Sequence, residues 1–338
     1  MSTQSSTPIL SLKNIVKHFD ISGGFLEKLR LTDGKLSLQS TIVKAVNSVS
    51  FDILEGETLS VVGESGCGKS TLARCVIGIH EPNSGEIYFR GERIDELSPK
   101  AMMPYRAKMQ MVFQDPYSSL NPRLTVQKTL EEPFRFHNPG VGSGEVKDRI
   151  DEVMEQVGVD PKWALRYPHE FSGGQRQRVS IARALMVDPA FIVADEPISA
   201  LDVSVQAQIL NLLMETQAKR GLSYMFISHD LSVVRHISSR VAVMYLGTLC
   251  ELSDSESLYN EPRHPYTKAL LSAIPQMGGK KGHIRLKGEV PSPINLPTGC
   301  VFHGRCPYAD ERCEQEVPEA KVNGSSLVAC HRVEEGAL

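Results

Sequence analysis

Nine consecutive residues carry the strongest chemical signal in the chain: Gly63-Glu64-Ser65-Gly66-Cys67-Gly68-Lys69-Ser70-Thr71. They follow the pattern G-x-x-x-x-G-K-[ST], in which backbone amides and a lysine cradle phosphate oxygens. The flanks suit that chemistry. Residues 58–62 read as a short buried strand, and 70–78 read as a helix with Leu72, Cys75, Val76 and Ile79 spaced for one face. A strand that turns sharply into a helix aims unpaired N–H groups and the positive end of the helix dipole at one point. The glycines let the backbone wrap a phosphate with no side chain in the way. Lys69 can reach the β- and γ-phosphates, and the Ser70 hydroxyl can ligate Mg2+. Cys67 sits among amides that favour a thiolate, so a reactive thiol is expected there. The stretch predicts binding of a nucleoside triphosphate.

Two further groupings bear on what happens to that ligand. The apolar run Phe191-Ile192-Val193-Ala194 ends in adjacent carboxylates, Asp195 and Glu196. One can join a Mg2+ shell while the next orients and deprotonates an attacking water. An acid ending a strand is common for solvation alone; downstream of a phosphate loop it is informative. Ser172-Gly173-Gly174-Gln175 opens a helix expected over 176–186, so it forms either a second anion-binding nest or an ordinary helix cap. One triphosphate does not need two nests in one chain. The second nest is therefore expected to serve a nucleotide held by another subunit.

The elements that must position these groups follow from the hydrophobic pattern. Residues 9–19, 43–46 and 49–53 have strand character, and 85–89 adds a short strand, giving an antiparallel element around the phosphate loop. The segment 20–42 has no firm period and reads as a surface loop. Residues 109–113 read as a buried strand leading to Gln114, and about 125–185 reads as mostly helical. Strands at 191–194, 223–227 and 241–245 alternate with helices at 203–220 and 230–238, which means a parallel sheet covered by helices. Ligands in such sheets sit at the carboxyl ends of the strands. Two short helices, at 255–259 and 265–274, precede a Gly-, Pro- and Lys-rich stretch at 276–298 and then a cysteine-rich tail.

Composition narrows the function classes. The chain has 338 residues, 41% hydrophobic and 23% charged, which is ordinary globular composition with room for one large domain and a smaller appendage. A net charge of -3 gives no bulk attraction to nucleic acid. No apolar run approaches the roughly 20 residues a membrane helix needs, so any membrane link is expected to be peripheral. Residues 1–7 have neither a basic start nor an apolar core, so no signal peptide is expected and a cytosolic setting is.

In their order and spacing, Gly63–Thr71, Gln114, Ser172–Gln175, Asp195-Glu196, Ser199-Ala200-Leu201-Asp202 and His229 resemble the nucleotide-binding domain of an ABC transporter. The resemblance covers roughly residues 9–250. It implies an α/β cassette with a parallel sheet core, an antiparallel β subdomain and a helical subdomain at about 115–187. It also implies a head-to-tail pair of cassettes enclosing two ATP molecules, each between one phosphate loop and the opposite chain's Ser172–Gln175. Carried over to this chain, Lys69 and the loop amides hold the phosphates. Ser70 and Gln114 ligate Mg2+, with Asp195 in its shell. Glu196 is the general base, and His229 contacts the γ-phosphate. Phe19 matches an adenine-stacking aromatic, although the insertion after Asp20 makes its spacing atypical. Asp202 and its loop meet the partner cassette.

A narrower resemblance, to dipeptide/oligopeptide permease ATP-binding subunits, rests on 113–122, on His264-Pro265-Tyr266-Thr267-Lys268-Ala269-Leu270-Leu271 and on Arg305-Cys306-Pro307-Tyr308-Ala309. It implies a cassette at 1–253 and a C-terminal extension at 254–338. The partners it implies are a homologous ATP-binding subunit, two transmembrane permease subunits and an extracytoplasmic solute-binding protein, at the cytoplasmic face of the inner membrane. Importers of nickel, glutathione or sugar, and a non-transport ABC ATPase, stand as alternatives. Of seven cysteines, Cys300, Cys306, Cys313 and Cys330 crowd the tail, which suggests metal more than disulfide in a reducing compartment. The resemblance implies a 4Fe–4S cluster there. Zinc held by the same four thiolates is the rival, although the tail lacks the closely spaced cysteine pairs usual in zinc sites.

Overall fold

A computed structural model describes residues 7–22, 29–32, 35–38, 40–274 and 284–338. The first part of the Gly-, Pro- and Lys-rich stretch, up to residue 283, lies outside the described residues. The chain divides into two compact units. The first comprises Met1–Ile9, Ile53–Leu59 and Glu96–Ser228; the second comprises Leu10–Asp52, Ser60–Asp95 and His229–Leu338.

The first unit is built on three parallel strands, with Phe191–Asp195 between Met109–Val112 and Ser223–Ile227. All five residues of Phe191–Asp195 and of Ser223–Ile227 are buried, as a strand covered on both faces must be. Helix Gly173–Leu185 is the hub of the helical part and packs against Pro116–Ser119, Val126–His137, Ser143–Gln156 and Val203–Arg220. Its sequence explains its start and its buried face. Ser172 caps the first turn reciprocally with Gln175, while Val179, Ile181, Ala182 and Leu185 face inward. Pro116–Ser119, Val126–His137, Ser143–Gln156 and Gly173–Leu185 all fall within residues 115–187.

The second unit carries a four-stranded sheet in the order Ile42–Ile53, Leu10–Asp20, Ser84–Phe89, Glu92–Arg93. Leu10–Asp20 runs antiparallel to Ser84–Phe89, which runs antiparallel to Glu92–Arg93. The two strands expected at 43–46 and 49–53 form one strand, with Ser48 at φ 55 absorbing the irregularity. The segment expected to be a loop, 20–42, instead contains a hairpin in which Leu29–Thr32 pairs with Lys35–Leu38. Two further strands of this unit, Arg240–Tyr245 and Thr248–Asp254, are joined through Leu246 and Gly247, both at positive φ, which matches the right-handed twist of a tight hairpin.

The C-terminal tail is sewn into this sheet. Ser326–Val328 pairs with Thr248–Asp254 and also with Lys321–Asn323. Glu251, in the middle of that junction, is fully buried and accepts from the amides of Arg263 and His264. His264 then caps helix Pro265–Ser272 through Nδ1, which accepts from the Tyr266 amide. That helix ends at Ser272, short of the expected 274. Ile79 is exposed, because the helix after the phosphate loop, Lys69–Val76, stops before reaching it.

Burial lowers the His264 pKa from 6.5 to about 3, and a backbone hydrogen bond to Ala329 opposes this only in part. A depressed folded-state value contributes stability that is present above 6.5 and is lost as pH falls toward 3. Burial raises the Glu251 pKa, so its contribution has the opposite sign and is lost as pH rises above 4.5. Chemical denaturation at a series of pH values from about 7 to about 5 should show His264→Asn losing less stability on acidification than the unmodified chain. The difference should be on the order of 1 kcal/mol per pH unit.

Candidate nucleotide site

In the second unit, the phosphate loop leaves the end of strand Thr58–Val62 and enters helix Lys69–Val76. Its glycines are required by contact as well as by conformation. At Gly63 (φ 153) a Cβ would sit 2.1 Å from the Met244 carbonyl oxygen, and at Gly68 (φ 101) 2.1 Å from that of Ala45. The Lys69 ammonium donates to the carbonyls of Gly63 at 2.8 Å and Glu64 at 3.1 Å, so it is already folded back over the loop. Lys69 is buried, and Ser70 and Thr71 are half-buried on the first helical turn. Ser65 and Gly66 are exposed at the crest of the loop. Phe19, at the end of strand Leu10–Asp20, is half-buried rather than core; its ring meets His80 edge-on at 5.3 Å and Lys17 covers it at 5.1 Å. His229 is exposed, two residues beyond the end of Ser223–Ile227 in sequence.

In the first unit, sheet register brings two predicted residues together. Val112 lies opposite Ala194, so the residues just past both strands emerge at the same end. There Gln114 Nε2 donates to Glu196 Oε2 at 2.8 Å. The Glu196 amide donates to the Ile227 carbonyl at 3.0 Å, and its φ of 45° is a left-handed conformation unusual for a residue with a side chain. Three parallel strand ends thus meet at this residue. Its neighbour Asp195 is 2% exposed.

The same unit holds Ser172–Gln175. Ser172 Oγ accepts from the Gln175 amide and Gln175 Oε1 accepts from the Ser172 amide, so the motif is a reciprocal cap. Its glycines also have a packing role that the sequence pattern does not show. A Cβ on Gly174 would lie 2.4 Å from Val205 Cγ1, and one on Gly173 would lie 3.5 Å from Leu201 Cδ2. The turn therefore rests directly on the segment around Asp202, which is exposed at the start of helix Val203–Arg220.

One expectation changes and another finds no support among the described residues. The reactive thiol expected at Cys67 is 3% exposed, and burial raises its pKa despite Lys69 close by. The tail cysteines do come near one another in charge terms, since Cys300 and Cys306 both respond to Cys313 and Cys330. Burial pushes the Cys300 and Cys306 thiols up to about 11. Yet no group of three or more His, Cys, Asp or Glu among the described residues is arranged to hold a metal ion, so the structure does not support a 4Fe–4S cluster or zinc at Cys300, Cys306, Cys313 and Cys330. Two residues that touch the phosphate loop, Tyr266 and Arg305, escape sequence-based detection. Each stands only within a family motif, and neither has a local pattern that announces contact with a loop 202 or 241 residues away.

Comparison with known proteins gives the family. Residues 46–199 match the family model for ABC transporters, and 250–313 match the model for the C-terminal region of oligopeptide/dipeptide transporters. The chain is 50% identical to the oligopeptide transport ATP-binding protein AppF of Bacillus subtilis, covering 98% of this chain and 99% of that one. It is 47% identical to the dipeptide transport ATP-binding protein DppF of Escherichia coli, over 99% and 98%. Among solved structures, the dimeric ATP-binding cassette MJ0796 bound to ADP and Pi superposes with a TM-score of 0.63 at 29% identity, covering 73% of this chain and 98% of that one. The structure of cbiO1 from Clostridium perfringens, part of an ABC transporter complex, gives 0.62 at 27% identity, over 76% and 92%.

Two measurements check the local geometry. Maleimide applied to the folded chain should leave Cys67 unlabelled while unfolded chain labels fully, as read by peptide mass mapping; rapid native labelling would contradict its burial. Gly174→Ala should destabilise the chain by about 1–3 kcal/mol in urea unfolding, as overpacking does. Val205→Ala in the same chain should remove most of that penalty.

Proposed function

The chain belongs to the ABC transporter family, among the oligopeptide and dipeptide transport ATP-binding proteins, and from that premise we propose that it is the ATP-hydrolysing subunit of a peptide importer. One observation carries the choice of peptide over nickel, glutathione or sugar: the match at 250–313 to the oligopeptide/dipeptide transporter C-terminal region, outside the ATP-binding cassette itself. The same match supports a division of labour between the cassette at 1–253 and the extension at 254–338. No helix among the described residues is long and apolar enough to cross a membrane. In this reading the chain attaches to the cytoplasmic face of the inner membrane through two permease subunits. A homologous cassette, in a heterodimer, and an extracytoplasmic solute-binding protein complete the complex.

Each site residue has a role in this reading. The amides of Gly63–Thr71 and Lys69 hold the triphosphate, with Phe19 against the adenine. The Lys69 ammonium, held over the loop by two carbonyls, supports its part. Mg2+, when bound, neutralises charge on the β- and γ-phosphates. Ser70, Gln114 and Asp195 are the residues that would hold it, each able to offer an oxygen of the kind this cation prefers. Glu196 takes a proton from the attacking water, and the Gln114 amide donates to the same carboxylate and orients it. His229 holds the γ-phosphate side of that water. Ser172–Gln175 serve the nucleotide bound by the partner cassette, with Asp202 at the contact. The first amides of a helix have no intrahelical partner, which suits this turn to that phosphate. The tail cysteines are assigned no step.

Glu196→Gln keeps shape and hydrogen bonding and removes the base. ATP should still bind, while steady-state turnover of the assembled transporter should fall about 10²–10⁴-fold. Near-normal turnover with the substitution in every cassette would overturn the assignment of Glu196.

A further inference from the structure

The phosphate loop is braced from outside the cassette. Glu64, its second residue, extends its carboxylate to Arg305, 241 residues further along the chain. The guanidinium meets it with two prongs, Nη1 to Oε2 at 2.8 Å and Nη2 to Oε1 at 3.1 Å. This planar geometry is the strong form of the pair. Only 10% of the arginine side chain and 27% of the glutamate side chain are exposed, so neither partner is a loose surface charge.

Arg305 reaches the loop from a fixed base. It ends the short turn His303–Arg305, which follows Phe302. Phe302 is buried and packs against Tyr245, Tyr266 and His264, with ring centroids 5.3, 5.3 and 5.8 Å away. Tyr245 accepts from the Arg305 guanidinium at 3.4 Å, and Tyr266 Oη accepts from the Glu64 amide at 3.0 Å. The backbone of Glu64 in turn holds Lys69, through its carbonyl. A continuous set of contacts therefore runs from the buried Phe302 through Arg305 and Glu64 to the phosphate-binding lysine.

The charges decide what this brace does. A triphosphate brings several negative charges to a loop that contains one carboxylate, that of Glu64. Left unpaired, that carboxylate repels the incoming phosphates across a short, partly buried distance where salt screens little. We propose that Arg305 is a positioning residue for nucleotide binding: it neutralises and fixes Glu64, so that the C-terminal tail sets the affinity of the phosphate loop for triphosphate. The inference rests on the reading of Gly63–Thr71 as that loop.

The test is equilibrium binding of ATP and of AMP to the full-length chain. Arg305→Met should weaken ATP binding about 3- to 30-fold, on the order of a unit charge repelling phosphate at a partly screened distance, and should affect AMP less. Arg305→Lys should retain part of the affinity. Glu64→Gln removes the carboxylate, so Arg305→Met with Glu64→Gln should recover most of the loss. A purely structural role for Arg305 predicts equal weakening of ATP and AMP binding by Arg305→Met. Equal weakening of ATP binding by Arg305→Met with and without Glu64→Gln, or no weakening at all, overturns the proposal. If Arg305→Met does not fold, comparing Arg305→Lys with and without Glu64→Gln decides the same question. Absence of ATP binding by the unmodified chain would instead overturn the phosphate-loop reading beneath it.

Discussion

Backbone crowding around the phosphate loop is the constraint on which the second unit depends. Gly63 and Gly68 press against the carbonyls of Met244 and Ala45, contributed by strands Arg240–Tyr245 and Ile42–Ile53. No side chain fits at either glycine, and both take dihedral angles that side chains disfavour. The loop is therefore held in place by the strands it touches. A hydrogen bond from the Gly247 amide to the Cys67 carbonyl and one from the Asn47 amide to the Gly247 carbonyl extend the same fixation through the hairpin turn.

The first unit meets a different demand. Three parallel strands end together, and Gln114 and Glu196 meet just beyond two of them. Glu196 sits at φ 45, its amide tied to Ile227 and its carboxylate to Gln114. Strained backbone of this kind persists only when the surroundings over-determine it. Here the determinants are a fully buried central strand on one side and two strand ends on the other. The Ser172–Gln175 turn shows how one motif satisfies two requirements. Its polar atoms cap the helix, and its glycines allow Val205 and Leu201 to approach.

The tail is an integral part of the second unit. It adds Ser326–Val328 to the strand Thr248–Asp254, buries Glu251 under the amides of Arg263 and His264, and sends Arg305 to the phosphate loop. A buried carboxylate such as Glu251 is tolerated because both of its oxygens accept from backbone amides. Four tail thiols lie within electrostatic reach of one another without converging as metal ligands among the described residues. Polar satisfaction, strand pairing and the aromatic cluster around Phe302 hold this segment together.

Legibility in the sequence follows the range of the interactions. The phosphate loop, the acid-terminated strand Phe191–Asp195 and the helix opened by Ser172 are readable because each depends on neighbours a few residues away: glycine dihedrals, an unbroken apolar run, a reciprocal cap. The hairpin within 20–42 is not readable, because strand pairing across Leu29–Thr32 and Lys35–Leu38 leaves no strong period in so short a segment. Cys67 looks reactive from its amide-rich surroundings, and only packing buries it and raises its pKa. The contact between Gln114 and Glu196 requires the register of parallel strands joined by long crossovers. The pairing of Glu64 with Arg305 requires a tail turn anchored on buried aromatics. Local dihedral preference and hydrophobic period are written residue by residue in the chain. Which distant charges meet is decided only when burial brings their segments together and removes the water between them.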